Sequence, residues 1–405
     1  MSFKRLVSYQ ASDTADAVVK IKDQMLSMGW TMHDDMSGEA KPYYVFQSLG
    51  EDSTATLIPM YMRIGEGTTA NNIDFRGYLY WDSGTHTGIV EFLSYSSNQI
   101  FSDDDAPFYI WVYGCKDWLV IISKVVSTYY GSFVNKITSP TNSIIATLKS
   151  NSGTGTDKVL ELGSGEADPF ITGRNIGIVC IDGTVGRQYT LTISDVDRVN
   201  DTITISTSIS YDFPAGSIVG HQPCPWVKGS MTNLTNCCLM DGSGTTTQDL
   251  KSTLMALFNV SNFDPEVESN LYGLIPLILH KTTAFYGILE KGFFSEGLPV
   301  TYEDTLVTGK KEDGIVSSST DNTIDSTGEN WITNEFAGKA IVITSGFAIG
   351  QEMTILSNTD VQIVVDENWI TNPSNGDAFD IANKSYRHFG WPTKISVQEC
   401  GEFDI

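Results

Sequence analysis

The sequence predicts a mainly β protein with some α-helix (α+β), built from an N-terminal α+β module, a central platform and two duplicated small β-barrel or sandwich modules. Three observations predict this fold class. Its 36 glycines, with many Ser, Thr, Asn and Asp residues, are typical of a chain with many turns between strands. One N-terminal segment has helical periodicity and is followed by strand patterns. Two later stretches, which begin at Phe170 and Trp331, match each other.

The N-terminal module is expected over residues 1–150. Its helix follows Ser12, the predicted N-cap, and the carboxylates of Asp13 and Asp16 favour the positive end of the helix dipole. Gly29 is expected to end the helix in the left-handed conformation. Segments such as YYVFQSLG, IDFRGYLYW and DWLVIISKVV are rich in β-branched and aromatic residues and are predicted to be strands. The helix has apolar residues at helical spacing: Val18, Ile21, Met25 and Met28.

The pentamer NWITN occurs at residues 330–334 and again at 368–372. Three alternating segments, GKAIVITSG, GQEMTILSNT and DVQIVVDENW, lie between the copies, and one further strand is expected on each side. The two copies are therefore predicted to mark two corners of one small domain, where an aromatic side chain packs beside a polar turn. The pentamer is not itself the repeating unit.

The repeating unit is a β-module of about 60–70 residues. The alignment sets Phe170 beside Trp331, GIVCIDG beside AIVITSG and DFPAGSIVGH beside NPSNGDAFDI. A linker is expected in SNSGTGTD, near residues 150–157. The platform is expected to contain a helix in TTTQDLKSTLMALFNV, and Pro276 argues against a regular central strand or helix around it. The first module, the platform, the second module and a C-terminal return to the platform are expected at 155–222, 223–312, 315–384 and 385–405.

The composition restricts the classes of function. At 405 residues the chain is expected to form several domains, and its formal net charge is −24 without a cluster of Lys and Arg. Neither nucleic acid nor an anionic membrane is therefore an expected partner. The N-terminus lacks an apolar signal segment, so a soluble protein without Sec export is expected. The six cysteines lack CxxC spacing and are expected to be buried free thiols, formed in a reducing cytoplasm.

Motifs of the common catalytic and cofactor-binding sites are absent from the sequence, so no enzyme activity, cofactor or metal ion is expected. Three acidic segments are candidate cation sites because hard cations prefer carboxylate oxygens. The segment at His33, Asp34 and Asp35 is expected to be a solvated turn, and Asp103–Asp105 a charged loop without an ion. The remaining segment, with Asp195, Asp197 and Asp201, is expected to be a hairpin turn.

Four tryptophans adjoin polar turn residues and are candidate contacts for a glycan or a protein partner. Their rings, if exposed, could stack on sugars. Aromatic side chains at strand ends also serve as lids on a small core, and the sequence leaves both alternatives open. The four residues are Trp81, Trp331, Trp369 and Trp391.

The second module resembles a β-module that recurs in structural proteins of tailed-phage virions. The N-terminal helix ending in Gly-Trp, followed by aromatic strands, is similar to modules of phage tail, neck and baseplate proteins. The resemblance implies a subunit that acts through assembly with copies of itself and with other virion proteins, and it supplies no catalytic residues. It also implies location in the virion after synthesis in the host cytoplasm. The residues that carry it in the second module are Trp331, Gly338, Gly346, Gly350, Trp369, Pro373 and Ile381.

Three hypotheses of function follow. The leading one is a structural component of a tailed-phage virion, in the tail, neck, collar or baseplate, present in several symmetric copies and without catalysis. The alternative is a receptor- or glycan-binding fibre or decoration protein that uses exposed aromatic turns to contact the host surface. A weaker alternative is a glycan-degrading enzyme, because the 49 acidic residues offer many carboxylate pairs.

Overall fold

The computed structural model confirms a mainly β fold, with 52% of the chain in strands and a single helix among the residues it describes. The chain divides into two compact units, residues 1–253 with 278–288 and residues 254–277 with 289–405. The described residues are 4–51, 59–67, 71–91, 99–103, 107–126, 128–136, 145–180, 184–221, 226–230, 239–241, 275–281, 284–294, 305–389 and 395–401.

The N-terminal part of the first unit contains one helix and two antiparallel sheets. The elements are β1 (Lys4–Ala11), α1 (Thr14–Ser27), β2 (Thr31–Met36), β3 (Tyr43–Ser48), β4 (Met60–Glu66), β5 (Asn72–Asp82), β6 (Thr87–Glu91), β7 (Gln99–Phe101), β8 (Phe108–Gly114), β9 (Trp118–Val125) and β10 (Thr128–Lys136). Two later strands, β17 (Trp226–Ser230) and β18 (Leu239–Asp241), complete the first sheet, whose order is β1-β8-β9-β10-β17-β18. The second sheet has the order β2-β3-β4-β5-β6, with β7 beside β5.

Helix α1 buries the predicted apolar face, because Val18, Ile21 and Met25 all lie in the core that it shares with the two sheets. Gly29 has the expected left-handed backbone, with a φ of 86°. The predicted cap is displaced by one residue: the side chain of Asp13, not Ser12, accepts the hydrogen bond from the backbone N–H of Asp16, at 2.8 Å. A carboxylate is the stronger acceptor at this positive helix end, and Ser12 lies one residue before it.

The first barrel follows in the same unit. Its strands are β11 (Ile145–Thr147), β12 (Lys158–Glu161), β13 (Asn175–Val179), β14 (Arg187–Asp197), β15 (Thr202–Ile205) and β16 (Ile218–Gly220), in the order β11-β16-β13-β14-β15-β12. A bridge between Leu148 and Leu162 joins the two ends of this order and closes the ring. Val179 and Ile218, on the outside of the ring, belong to the core of the N-terminal part, so the barrel packs against it.

The second barrel lies in the second unit. The strands there are β21 (Thr305–Ser319), β22 (Thr323–Ser326), β23 (Ala340–Ile343), β24 (Glu352–Asn358), β25 (Gln362–Val365) and β26 (Ala378–Phe389), together with β27 (Ile395–Gly401) outside the ring. Pairings of β21 with β22, β22 with β25, β25 with β24, β24 with β23, β23 with β26 and β26 with β21 close a six-stranded ring. Five of these strands were predicted, and β21 is the sixth.

The two rings have the same connectivity, and their hydrogen bonds give the correspondence between them. Gly173 donates its N–H to the Ile193 carbonyl as Gly338 does to that of Ile355, each at 2.8 Å. The predicted duplication of small β-modules is thereby confirmed at the level of strand order. Inward-facing residues correspond in pairs: Leu148 with Val316, Leu160 with Ile324, Ile176 with Ile341, Ile178 with Ile343, Leu191 with Met353, Ile193 with Ile355, Ile203 with Ile363, Ile205 with Val365 and Val219 with Phe379.

The sequence alignment of the two modules needs one correction. It set Phe170 beside Trp331, whereas the hydrogen bonds set Gly173 beside Gly338. The connection from Trp331 to Gly338 is the longer of the two, so matching the shared letters Ile-Thr shifted the register of the strand that follows. Ile178 therefore corresponds to Ile343 and not to Ile341.

Each barrel is an insertion between two neighbouring antiparallel strands of a larger sheet. In the first unit, β10 precedes the barrel in the chain and β17 follows the barrel. The two strands pair with each other, and Lys136 lies opposite Trp226. In the second unit, β21 and β26 pair along their length before they enter the ring. β17 and β18, expected in a separate platform, thus belong to the N-terminal sheet. The expected linker at 150–157 likewise lies inside the first barrel, between β11 and β12.

The segment between the barrels is described only in part. The helix predicted in TTTQDLKSTLMALFNV lies outside the described residues. The strands there are β19 (Ile275–Lys281) and β20 (Ala284–Phe294), and Gly292 to Phe294 of β20 pair with β27. Pro276 lies in β19, which is the terminal strand in its sheet order. An edge position tolerates proline because no neighbour on that side needs its missing N–H.

Candidate functional site

The predicted contact Trp81 is buried in the N-terminal part, at 4% exposure. Its indole Nε1 donates to Asp34 Oδ2 at 2.8 Å, and its ring packs edge-on against Tyr78 at a centroid distance of 5.2 Å. Its N–H is therefore satisfied inside the protein. Trp81 is positioned as a core residue of the second sheet rather than as a platform for a ligand.

Both tryptophans of the repeated pentamer are buried in the core of the second barrel, Trp331 at 8% and Trp369 at 5% exposure. The backbone N–H of Trp331 donates to Asp360, in the turn before β25, and that of Trp369 donates to Asp321, in the turn before β22. Since β22 and β25 are antiparallel neighbours, these turns lie at opposite ends of the barrel. The prediction that the pentamers mark two corners of one domain is confirmed.

The isoleucine after each of these tryptophans points the other way. Ile332 is 72% exposed and Ile370 is 67% exposed. Of the two alternatives that the sequence leaves open, Trp81, Trp331 and Trp369 follow the one in which the aromatic ring packs on a core, because each ring is buried. Trp391 lies outside the described residues. The contact of these four residues with a glycan or partner stays a prediction.

The end of the second barrel that carries Trp369 has two exposed apolar side chains on neighbouring loops. We call it the distal end and define it as the loops 320–322, 344–351 and 366–377. It carries Ile370 and also Phe347, which is 96% exposed. A phenylalanine this exposed stabilises nothing within the fold, so its position needs another explanation.

A glutamine side chain fixes the geometry of the distal end. Gln351 Oε1 accepts from the backbone N–H groups of Ile370, at 2.8 Å, and Thr371, at 3.2 Å, while its Nε2 donates to the Thr371 carbonyl at 2.9 Å. Gln351 also ends the loop that carries Phe347. These bonds join the two loops and hold both exposed apolar residues on one rigid surface.

The first barrel has the same glutamine in the equivalent place. Gln188 Oε1 accepts from the Ser210 N–H at 2.7 Å, and its Nε2 donates to the Ser208 carbonyl at 2.7 Å. Ser210 corresponds to Ile370, so the same scaffold presents a hydroxyl on one barrel and an apolar side chain on the other. The scaffold belongs to the fold, and the side chain that it presents is particular to each barrel.

Acidic residues lie on the same end of the barrel as the apolar pair. Asp321, Asp366 and Glu367 are exposed, and the three loops contain neither Lys, Arg nor His. Asp377 is largely buried and accepts from the backbone N–H of Ser374 at 2.8 Å. The distal end is consequently a negative surface with an apolar centre.

A second cluster of polar side chains lies on the β2–β6 sheet. Asp34 is buried, and its Oδ2 accepts from Trp81 and also lies 2.9 Å from His86 Nδ1. Asp74, 1% exposed, lies between Arg63 and Arg76 at 2.7 and 2.8 Å. Each carboxylate already has its partners within the protein. The cluster therefore holds strands together and leaves no unsatisfied group for a ligand.

Burial affects the ionisation of this second cluster. It raises the pKa of the Tyr78 phenol to about 12, and it also raises the pKa of the Glu91 carboxyl, next to Arg76. Hydrogen bonding to Asp74 raises the pKa of Arg76 against the opposing effect of burial, so the guanidinium stays charged. The tyrosine stays neutral at physiological pH, which makes it a hydrogen-bonding and packing residue rather than a base.

The acidic segments weighed as cation sites have different structures. His33, Asp34 and Asp35 lie in strand β2, not in the expected solvated turn, because the Asp34 carboxylate is drawn inward by Trp81 and His86. The hairpin turn expected at Asp195–Asp201 is confirmed between β14 and β15. Asp104 and Asp105 lie outside the described residues. Among the residues with described positions, no three His, Cys, Asp or Glu side chains form a group that could hold a metal ion.

Sequence reasoning missed Phe347, Gln351 and the partners of two buried carboxylates. These are Trp81 and His86 beside Asp34, and Arg63 and Arg76 beside Asp74. The signal for Phe347 was its position in the loop between Gly346 and Gly350, because loops run over the protein surface. Gln351 and Gln188 were visible in the aligned segments GQEMTILSN and GRQYTLTIS. Asp34 and His86 are too far apart in sequence for any local pattern to join them.

The comparisons with known proteins do not identify a family. In the described part of the chain, no helix is both long enough and apolar enough to span a membrane. The chain matches no protein-family model, and no similar sequence is found among curated proteins.

Proposed function

We propose that this protein is a structural subunit that acts by protein–protein assembly, without catalysis, in the virion of a tailed phage, at the tail, neck, collar or baseplate. The observation that carries the proposal is the set of large apolar residues exposed on the outside of the second barrel. Six large apolar residues, on strands and at both ends of this barrel, are each 38–96% exposed: Ile315, Ile332, Phe347, Leu356, Val361 and Ile370.

Comparison with the first barrel supports an interaction role for these residues. Ile315 corresponds to Thr147, and Leu356 corresponds to Ser194, the residue at which each barrel has the same β-bulge. The fold accepts a polar residue at each of these positions, so the apolar side chains are not needed for stability. Exposed apolar groups that stability does not require are typical of surfaces that become buried in an assembly.

The virion is proposed from the resemblance of the second barrel to recurrent β-modules of phage structural proteins. The insertion of both barrels between neighbouring strands of a sheet suits such a role. A module held by two paired strands is presented at a fixed position, and its loops are available to neighbours. The large negative charge is compatible with this role, since it keeps unassembled subunits apart in solution.

The first test is the native mass of the purified chain, by light scattering after size exclusion, with negative-stain images of the peak. A sixfold ring is the expected result for a neck or baseplate subunit. Mass spectrometry of purified particles provides the decisive measurement, because a virion subunit must be present in them. Absence of the chain from particles of the phage that encodes it would overturn the proposal.

Variants of the second barrel then test which surface assembles. Ile315→Thr combined with Leu356→Ser places the residues of the first barrel on the second. We expect the free energy of unfolding to change by less than about 0.5 kcal/mol, because both side chains are exposed. Ile315 and Leu356 lie on opposite sides of the six-stranded ring, so the double variant changes both sides at once. If either side contacts a neighbouring subunit, the variant loses the sixfold ring or its incorporation into particles. The matched control is Val159→Thr in the first barrel, which removes an exposed apolar residue and should leave assembly unchanged.

A second candidate function, binding of a host receptor or glycan, is favoured by one observation. Each barrel carries an exposed aromatic residue on a loop of the same end, Phe347 in the second and Tyr211, 49% exposed, in the first. Saturable binding of a host polysaccharide that is lost in Phe347→Ser or Tyr211→Ser, with unfolding unchanged, would promote this candidate. A compact trimer in the native-mass experiment would also favour it.

A further inference from the structure

We infer that the distal end of the second barrel docks a protein surface that has an apolar socket bordered by Lys and Arg. The inference rests on the proposed function, because it assumes that the chain works by assembly, and it adds the surface and the chemistry of the partner. Three observations lead to it: an apolar pair, a rigid support and an acidic border.

The apolar pair supplies the anchor. Phe347 is 96% exposed and Ile370 is 67% exposed, and both lie on loops of the same end. Interfaces concentrate their binding free energy in a few such side chains, which insert into pockets of the partner. On the first barrel, Ser210 occupies the position of Ile370, so this half of the anchor is particular to the second barrel.

The rigid support keeps the cost of binding low. The Gln351 side chain makes three hydrogen bonds to Ile370 and Thr371. Gly346 adopts a φ of 79° so close to Asp377 that a Cβ there would overlap the carboxylate. The loop that carries Phe347 is therefore packed against the segment that follows Ile370. A surface ordered in this way loses little conformational entropy on docking.

The acidic border determines the kind of partner. Asp321, Asp366 and Glu367 are exposed around the anchor, and the distal loops carry no positive side chain. A negative border attracts a basic surface and repels a negative one. A second copy of this chain, with a formal charge of −24, is disfavoured as the partner, and so are nucleic acid and an anionic membrane. The partner is a different protein with a basic rim.

Photo-crosslinking in purified particles tests the inference. p-Benzoylphenylalanine is introduced at position 347, where its side chain replaces one of similar shape, and the particles are irradiated before digestion and mass spectrometry. The same group at Tyr211, the exposed aromatic of the first barrel, is the matched control. The expected result is a crosslink from position 347 to a single other polypeptide, within a peptide that contains Lys or Arg beside apolar residues.

Two further variants test the chemistry of the contact. Ile370→Asp should lower the crosslink yield by about tenfold or more, because it removes half of the anchor. Reversal of the border by Asp321→Lys, Asp366→Lys and Glu367→Lys together should lower it about fivefold or more, and 0.5 M salt should act in the same direction. A yield that does not respond to the charge reversal would contradict the basic rim.

The outcomes separate this inference from the proposed function. Absence of the chain from particles overturns both. Presence in particles with no crosslink from position 347, with a crosslink only to a second copy of the chain, or with equal crosslinks from positions 347 and 211, overturns the docking inference and leaves assembly standing. Attachment to a polysaccharide instead of a polypeptide would favour the receptor-binding candidate.

Discussion

The two barrels have equivalent interior residues and different surface residues. Nine inward-facing positions correspond between them, and each is apolar in both, for example Ile178 with Ile343 and Ile203 with Ile363. On the outside the correspondence fails in both directions. Val159 of the first barrel is exposed, and the equivalent residue of the second barrel is the polar Thr323. Conversely, the exposed Leu356 of the second barrel is equivalent to Ser194 of the first. The shared interior reports what the fold requires, and the divergent exterior is where a difference in function must lie.

The barrels also differ in how their outer residues pack at one pair of equivalent positions. The N-terminal part covers some of the outer surface of the first barrel, because Val179 and Ile218 pack into the N-terminal core. At the positions equivalent to this pair the second barrel has Thr344 and Ala378, which are only partly buried. Its large apolar residues lie elsewhere, on the bulge and on the distal end. Within the described residues, this pair of positions therefore packs into a neighbouring core in the first barrel and carries smaller side chains in the second.

The largest effects are expected where the interiors correspond. Ile209 and Trp369 occupy equivalent positions, since each donates its backbone N–H to the connection between the first two strands of its barrel. Trp369→Ala should lower the free energy of unfolding by about 3–5 kcal/mol and Ile209→Ala by about 2–5 kcal/mol, because each leaves a cavity. Urea unfolding measures the loss in the free energy of unfolding of each variant. Hydrogen exchange shows whether each substitution lowers amide protection only in its own barrel.

The control for the core substitutions is Ile332→Ala, next to the other buried tryptophan. Ile332 is 72% exposed, so its removal should change stability by less than about 0.5 kcal/mol. A Trp369→Ala variant as stable as this control would show that the ring is not part of the core. The equivalence of the two interiors would then be limited to the strands.

Intermediate effects are expected at the glycines that the two barrels share. Gly173 and Gly338 correspond, both have a φ of 83°, and a Cβ at either would meet nothing within 4 Å. Alanine at either position should lower the free energy of unfolding by about 1–2 kcal/mol, because a side chain disfavours the left-handed conformation. Gly346→Ala should cost more, because its Cβ would also overlap Asp377. Denaturant midpoints of the three variants measure the difference.

Gly38→Ala provides a baseline for these glycine variants, because Gly38 lies in a turn without a positive φ and with open space around it. Its cost should be close to zero. Unequal costs at Gly173 and Gly338 would mean that the two turns differ in a way that their backbone angles do not reveal. The comparison between the barrels would then need revision at this turn.

Much of the fold could be predicted from sequence, because periodicity and turn residues act locally. The helix at Val18–Met25, the strands between the two pentamers and the duplicated module are all local signals. The closing strand β21 was missed because its identity depends on pairing with β26, which is distant in sequence. The register of the two modules was shifted because matching letters cannot detect a longer connection, whereas hydrogen bonds can.

The candidate surface was less predictable than the fold. Tryptophan beside a polar turn has the same sequence pattern whether the ring points inward or outward. In the two copies of NWITN the ring points inward and the isoleucine outward, and only the packing of the closed barrel decides this. Phe347 and Ile370 belong to one surface because Gln351 joins their loops. That contact depends on the closed ring and not on any pattern within either loop.

The smallest expected effect is a pH dependence of one hairpin turn in the first barrel, which the equivalent turn of the second barrel lacks. In the β14–β15 turn of the first barrel, Asp197 accepts from the Asn200 side chain and from the backbone N–H groups of Asn200 and Val199. These bonds, that of the Asn200 side chain first, lower the pKa of the Asp197 carboxyl below its usual value of 3.8. In the second barrel the hydroxyl of Thr359, which does not titrate, accepts from Val361 and Gln362 in the same turn.

Because the pKa of Asp197 is lowered in the folded state, the stabilisation is complete above its unfolded value and is lost as the pH falls through the folded value. The amide NMR signals of Val199 and Asn200 should therefore shift at acidic pH, with a midpoint below 3.8, while those of Val361 and Gln362 do not follow them. Asp197→Asn should abolish the shift. A midpoint at or above 3.8, or parallel shifts in both turns, would show that the carboxylate is not what distinguishes the two hairpins.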